Sequence, residues 1–179
     1  MNSVTVKDKR FRLLYSEKEL QEISQRIAKE IDQDIKGKDT LFLVMLNGAF
    51  LFASDVLRRI TAPAEISFVK FSSYAAMQSS GKLNRLIGLN EAVSGRNIVI
   101  LEDIVETGET IQGLLNELAE GHPASVRIAA LFFKPECLKK NIKIDYVGKE
   151  IGKEFIVGYG LDYAGYGRNL PGIYVACEE

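Results

Sequence analysis

Ile98, Val99, Ile100 and Leu101 form an unbroken apolar run without the polar alternation of a half-exposed strand. Such a run suits a parallel strand covered on both faces, and that cover has to come from helices on either side of a sheet. Leu41 to Leu46 is a second run of this kind, and Ser125 to Phe133, with Val126 and Ile128 to Phe133 as its apolar content, reads as another buried strand. After Leu46 the chain passes through a short loop into Phe50, Ala53, Leu57 and Ile60 at helical spacing. After Leu101 it does the same, with Ile111, Leu114, Leu115, Leu118 and Ala119 on one face. The repeated order of strand, loop and helix predicts an α/β fold with a mainly parallel central sheet flanked by helices. Further strands are predicted at Phe11 to Tyr15, Glu65 to Phe71 and Ile144 to Val147, a short strand or bridging segment at Leu86 to Leu89, and one more beginning at Phe155. Ser16-Glu17-Lys18-Glu19 has the order of a capping box. Leu20, Ile23, Ile27, Ala28, Ile31 and Ile35 then recur on one face, which predicts an amphipathic helix ending near Gly37.

One core can serve all of these elements. With 179 residues, of which 46% are hydrophobic, a single compact domain over residues 1–179 is expected. The 23 basic and 24 acidic residues leave a net charge of −1, which provides no electrostatic footprint for nucleic acid or an anionic membrane. Any phosphate binding must therefore be local. Met1 to Arg10 is polar, and no apolar run approaches membrane-spanning length, so a soluble cytoplasmic protein is expected. Cys137 and Cys177 lack metal-ligand spacing and read as free thiols. The only histidine, His122, sits in the stop signal Gly121-His122-Pro123, which leaves no histidine for a triad or a zinc site.

The chemistry is concentrated in the loops. Glu102 and Asp103 stand together at the end of the Ile98–Leu101 run, and burying two adjacent carboxylates is costly. Solvent, a cation or donor hydroxyls are expected beside them, a setting suited to ribose hydroxyls or a hydrated Mg²⁺. Glu106-Thr107-Gly108-Glu109-Thr110 is a turn with Gly108 as its permissive position, opening a helix. The unpaired amides and positive dipole end of that helix, with the hydroxyls of Thr107 and Thr110, form a phosphate cradle. Gly48 lets backbone approach a ligand closely, and Lys134 follows a strand at the end of the sheet where open parallel sheets bind ligands. Ser72 to Asn84 is small, polar and aperiodic, as in loops that close over a site. Phe155 taken alone reads as a core residue.

The segment Ile98 to Thr110 resembles the phosphoribosyl-pyrophosphate binding motif of type I phosphoribosyltransferases: hydrophobic residues, two acids, then Thr-Gly and a terminal Thr. The likeness extends from about Leu41 to Tyr174 and is to the hypoxanthine-guanine branch of purine salvage. That resemblance implies transfer of phosphoribosyl from phosphoribosyl pyrophosphate to hypoxanthine, and to guanine, with Mg²⁺ as cofactor. By the same likeness Glu106 is the catalytic base, where the family usually has Asp. Phosphate and pyrophosphate contacts fall to Glu102, Asp103, Glu106, Thr107, Gly108, Glu109, Thr110, Leu46, Asn47, Gly48 and Arg168, and the Leu46–Asn47 peptide is expected to be cis. The family usually carries Lys where this chain has Asn47, and many relatives have a basic or apolar residue in place of Glu109. Lys134, Phe155 and Ile156 match purine-binding positions, Asp162 with Glu102 and Asp103 the metal positions, and Ser73-Tyr74 the flap at about 72–85. A small hood is expected from about 144–179 and the N-terminal segment. Relatives form dimers or tetramers, and the implied partners are small molecules, with neither nucleic acid nor membrane. Two other readings stay open from the sequence: xanthine specificity, and a non-catalytic nucleotide-sensing regulator that retains the phosphoribosyl site.

Overall fold

The computed structural model describes residues 3–71, 85–88 and 91–177. In chain order its elements are β1 (Ser3–Val6), β2 (Lys9–Tyr15), α1 (Glu17–Ile35), β3 (Thr40–Met45), α2 (Phe50–Leu57), β4 (Glu65–Phe71), β5 (Arg85–Ile87) and β6 (Asn97–Val105). They continue with α3 (Glu109–Glu120), β7 (Ser125–Phe133), a short 3-10 turn (Pro135–Cys137), β8 (Tyr146–Glu150), β9 (Ile156–Val157) and β10 (Ile173–Ala176). The larger sheet has the order β5-β4-β3-β6-β7-β8. β4, β3, β6, β7 and β8 run parallel, and β5 lies antiparallel on the edge beside β4. From β3 the chain crosses to β4 on one side, and from β6 it crosses to β7 on the other. Right-handed crossovers in opposite directions put α2 and α3 on opposite faces, and α1 packs beside α2. The fully buried run Leu41–Val44 and the equally buried Ile98, Ile100 and Leu101 form the middle of this sandwich. The strand order reverses between β3 and β6, so the crevice beyond their carboxyl ends is where a fold of this kind takes a ligand.

A second sheet, β1-β2-β10-β9, is antiparallel throughout and has its own small core of Val6, Phe11, Val157 and Tyr174. Ser3–Val6 was not expected as a strand, because its polar and charged surroundings hide the four-residue pairing with Lys9–Arg12. The strand expected at Ile144–Val147 begins and ends later, at Tyr146–Glu150, where it pairs with β7 on the main sheet. The smaller sheet therefore takes only β9 and β10 from the C-terminal part of the chain. Ser73, Tyr74 and the loop around them lie outside the described residues. Cys137 and Cys177 are free, and no described helix is long and apolar enough to cross a membrane.

The helix α1 starts at the capping box read from the sequence. The Ser16 hydroxyl accepts from the Glu19 amide, and the Glu19 carboxylate accepts from the Ser16 amide at 2.8 Å. Ser16→Ala is expected to cost about 1 kcal/mol, lowering the melting temperature by about 2–4 °C, as thermal denaturation would show; no change would mean the cap is idle. The Ser16 hydroxyl, which donates to Glu19 Oε2 at 2.6 Å, and then the Ser16 amide depress the pKa of Glu19. A carboxyl whose folded pKa is depressed stabilises above its unfolded pKa and loses that effect as pH falls through the folded value, so the cap weakens in acid.

Paired ions close the amino ends of the strands. Arg96 bridges Asp39 at 3.0 Å and Glu65 at 2.6 Å, and Arg127 joins Asp34 and Tyr146. The carboxyl ends carry the acids and loops singled out from the sequence.

Candidate active site

The β6 strand runs on past Leu101 to Val105, because Ile104 and Val105 continue the ladder opposite Phe132 and Phe133 of β7. Glu102 and Asp103 therefore lie inside the strand, not at its end as the sequence suggested, and successive side chains point to opposite faces. Asp103 is 7% exposed, and its Oδ1 accepts from the Ile104 amide at 3.0 Å. Its carboxylate lies against Gly48, where an added Cβ would stand only 1.6 Å from Oδ2. Burial, reinforced by the neighbouring Asp103 charge, pushes the Glu102 carboxyl well above the usual range. Burial also raises Asp103, with the positive charge of Arg168 among the opposing influences. Among the described residues Glu102 Oε2 is buried without a hydrogen-bond partner. A sealed, unpaired carboxylate oxygen in a ligand crevice is an acceptor waiting for a donor.

Beside the acids, β3 ends in the loop Leu46-Asn47-Gly48, whose Leu46–Asn47 peptide is cis, as the resemblance implied. Leu46 N donates to Val69 O at 2.8 Å, which holds the start of the loop on β4. On the other side of the crevice α3 opens at Gly108, which has a φ of 78° and serves as its N-cap. A Cβ at Gly108 would meet the Ile142 and Leu138 side chains at 2.8 and 3.0 Å, so the segment after β7 packs on the turn and only glycine fits. The Glu109 amide donates to Thr107 Oγ1 at 3.4 Å, while the next amides of the first turn have no intrahelical acceptor. Glu102 and the residues Ile104 to Ile111 line a cavity of about 400 Å³. Thr107, Gly108, Glu109 and Thr110 thus share one cavity with Glu102 and Glu106.

Lys134 follows β7, is 5% exposed, and reaches back across the crevice. Its Nζ lies 2.5 Å from Glu106 Oε1 and donates to Glu154 O at 2.9 Å. Phe155 and Ile156 follow at once: Ile156 is buried in β9, whereas the Phe155 ring is 47% exposed, packed against Phe11 and edge-on to Tyr163 at 5.8 Å. Arg168 Nη2 lies 2.5 Å from Asp162 Oδ1, Arg168 Nη1 donates to Gly160 O at 2.7 Å, and Asp162 Oδ2 accepts from the Gly165 amide at 2.7 Å. This arm sits directly on the Gly48 loop, since a Cβ at Gly160 would stand 1.9 Å from Gly48 O. Glu102, the turn that opens α3 and the Lys134–Glu106 pair thus meet beyond the carboxyl ends of β6 and β7, while Phe155 lines a neighbouring cavity with Arg12, Glu154, Val175, Ala176 and Cys177.

A family model for the phosphoribosyl transferase domain matches residues 14–164. The chain belongs to the phosphoribosyltransferase family. It is 40% identical over 163 residues to a hypoxanthine phosphoribosyltransferase of Buchnera aphidicola subsp. Schizaphis graminum, covering 89% of this chain and 92% of that one. It is 39% identical to a hypoxanthine-guanine phosphoribosyltransferase of Lactococcus lactis subsp. lactis, over 94% of this chain and 92% of the relative. Among solved structures, a hypoxanthine phosphoribosyltransferase from Staphylococcus aureus superposes with a TM-score of 0.87 at 34% identity, covering 93% of this chain and 91% of that one. The two sheets are those of the type I phosphoribosyltransferase fold.

Within that family fold, the structure adds residues that the sequence reading did not single out. The Glu154 carbonyl helps hold Lys134, Leu138 and Ile142 cover Gly108, and Tyr159 is buried beneath the arm that bears Asp162 and Arg168. Only Tyr159 leaves a sequence trace, a tyrosine between two glycines at Gly158-Tyr159-Gly160.

Proposed function

We propose that this chain transfers the 5-phosphoribosyl group of phosphoribosyl pyrophosphate to hypoxanthine, and to guanine, releasing inosine or guanosine monophosphate and pyrophosphate in purine salvage. The observation that carries this reading is the Lys134–Glu106 pair at the mouth of the cradle, at 2.5 Å. A 6-oxopurine presents a carbonyl oxygen, which accepts from a lysine, and a ring N–H, which must lose its proton as the glycosidic bond forms. Lys134 meets the first need and the Glu106 carboxylate the second. Phe155 offers its exposed face to the purine, and the backbone at Ile156 lies at the edge of the same ring.

The cradle from Thr107 to Thr110 holds the 5′-phosphate with amides and hydroxyls, which fixes the ribose C1 in register with the base. Glu102 Oε2 and Asp103 orient the ribose hydroxyls. Glu109 lines the same cavity and adds a negative charge there that salt screens. The loop Leu46 to Gly48 and Arg168 face the leaving pyrophosphate, where negative charge grows as the bond to C1 breaks. Bound Mg²⁺ supplies further charge neutralisation there. The unpartnered Glu102 oxygen beside Asp103 would suit an oxygen-loving cation, and Asp162, now paired with Arg168, would reach one separately. Among the described residues no three acidic, histidine or cysteine side chains converge on one point, so these carboxylates would hold the ion together with substrate oxygens and water. The same reading has the enzyme working in the cytoplasm as a homodimer or homotetramer. Ile66, Phe68 and Ile87 share one open face of β4 and β5 at 45%, 46% and 43% exposure and offer the apolar surface for a second copy.

The test is formation of nucleotide from phosphoribosyl pyrophosphate and Mg²⁺ with hypoxanthine, guanine, xanthine and adenine in parallel. Turnover of hypoxanthine and guanine without adenine is expected. Turnover of xanthine alone would shift the assignment, and binding of phosphoribosyl pyrophosphate without turnover of any base would replace the enzyme by a sensor. A purely monomeric sedimentation profile for the active preparation would remove the oligomer from the reading.

A further inference from the structure

Gly158, Tyr159 and Gly160 all have positive φ, at 106°, 47° and 102°. Two glycines adopt that backbone freely, but a tyrosine does so only where its surroundings hold it. The Tyr159 ring is 4% exposed and runs down between the first two helices. Its hydroxyl donates to Asp55 Oδ2 on α2 and lies 3.5 Å from the buried Ser24 hydroxyl on α1. Asp55 is in turn clamped by Arg58 at 2.6 Å and Arg59 at 3.6 Å. Above the ring, the backbone is equally fixed: Tyr159 N donates to Leu170 O at 2.8 Å and Gly160 N to Arg168 O at 3.0 Å. Gly160 rests on the carbonyl of Gly48, and the Gly160 carbonyl accepts from Arg168.

The phenol therefore ties together two parts of the crevice that reach it by separate routes. One is the loop Leu46 to Gly48, which runs directly into α2 and Asp55. The other is the arm that bears Asp162 and Arg168. We infer that Tyr159 is a positioning residue for the pyrophosphate end of the substrate: its bond to Asp55 sets the spacing between the Gly48 loop and the Asp162–Arg168 arm. Burial and the Asp55 carboxylate raise the pKa of the phenol, so it remains a neutral donor across the working pH range. The Tyr159 hydroxyl is held by Asp55 and Ser24 and not by Lys134 or Glu106, so base recognition and proton transfer are left to Lys134, Phe155 and Glu106. This inference rests on the phosphoribosyl transfer reading above.

Tyr159→Phe removes the hydroxyl and keeps the ring that fills the core. The KM for phosphoribosyl pyrophosphate is expected to rise about tenfold, with kcat and the KM for hypoxanthine within about twofold of the parent. Calorimetric binding of phosphoribosyl pyrophosphate with Mg²⁺, without any base, should weaken by the same factor. Asp55→Asn keeps an acceptor and should stay within about threefold of the parent. Asp55→Ala should match Tyr159→Phe, and the double variant should be no worse than either alone. Unchanged binding in Tyr159→Phe would overturn the inference, as would an equal rise of both KM values together with a fall of kcat and melting temperature, the pattern of a merely structural residue. A parent protein that turns over no base, yet binds phosphoribosyl pyrophosphate more tightly than Tyr159→Phe does, would leave this inference standing and remove the enzymatic one.

Discussion

Gly48→Ala is expected to lower kcat/KM by at least a hundredfold, in a chain that still folds. The new Cβ would stand 1.6 Å from Asp103 Oδ2, 2.5 Å from its Cγ and 3.0 Å from Oδ1. Asp103 cannot turn away cheaply, since it is buried, its Oδ1 holds the Ile104 amide, and the strand around it is locked between β3 and β7. The loop cannot retreat either, because the carbonyl of Gly48 already touches Gly160, where a Cβ would be 1.9 Å away. Gly48 is pinned between a buried carboxylate and a backbone, so the methyl must displace one of them. A displacement of about 1 Å near reacting groups costs on the order of a hundredfold in rate. Overpacking of this kind costs about 1–3 kcal/mol of stability, so a melting curve recorded beside the kinetics separates the two effects. Gly160→Ala meets the same wall from the other side and should behave alike. An alanine variant at Gly48 with near-normal kcat/KM would mean that the loop takes no part in catalysis.

What the sequence disclosed of this arrangement was what is local in the chain. The unbroken runs at Leu41 to Leu46 and Ile98 to Leu101, each leading into helical spacing, specify their own strand–loop–helix units, and the parallel sheet follows from them. The turn at Glu106 to Thr110 leading into α3 was legible for the same reason, with strand, turn and helix N-terminus contiguous. From sequence, Glu102 and Asp103 read as a loop because polarity normally ends a buried strand, whereas β6 carries both of them. Functional sites are where a fold departs from such local rules. The two-residue strand β9 and the four-residue strand β1 carry too little pattern to show an antiparallel sheet, which is specified by pairing between the chain ends. Contacts across long separations were also hidden. Lys134 and Glu106 were each singled out, but their pairing spans 28 positions, and the Tyr159–Asp55 bond spans 104. No periodicity records such a bond.

Because that pairing was invisible, the strongest test of the chemistry lies in it. Glu106→Gln is expected to reduce kcat for hypoxanthine about a hundredfold, with the KM for phosphoribosyl pyrophosphate within about threefold of the parent. Glutamine has nearly the same shape and can still present an oxygen to Lys134 Nζ, so the geometry survives and only the capacity to take a proton is lost. General base catalysis contributes about 10²–10⁴-fold, and the lower end applies if water can replace part of it. The stability cost should be small, because the Glu106 side chain is 49% exposed and Lys134 keeps the Glu154 carbonyl at 2.9 Å. Glu106→Asp makes the complementary case. It keeps the carboxylate but withdraws it by about 1.5 Å, stretching a contact that now stands at 2.5 Å. That variant should fall between the parent and the glutamine variant if carboxylate chemistry is what matters. A glutamine variant retaining more than a third of the parent kcat would place the base elsewhere. A loss confined to KM would make Glu106 a binding group, with Lys134 alone carrying recognition of the purine oxygen.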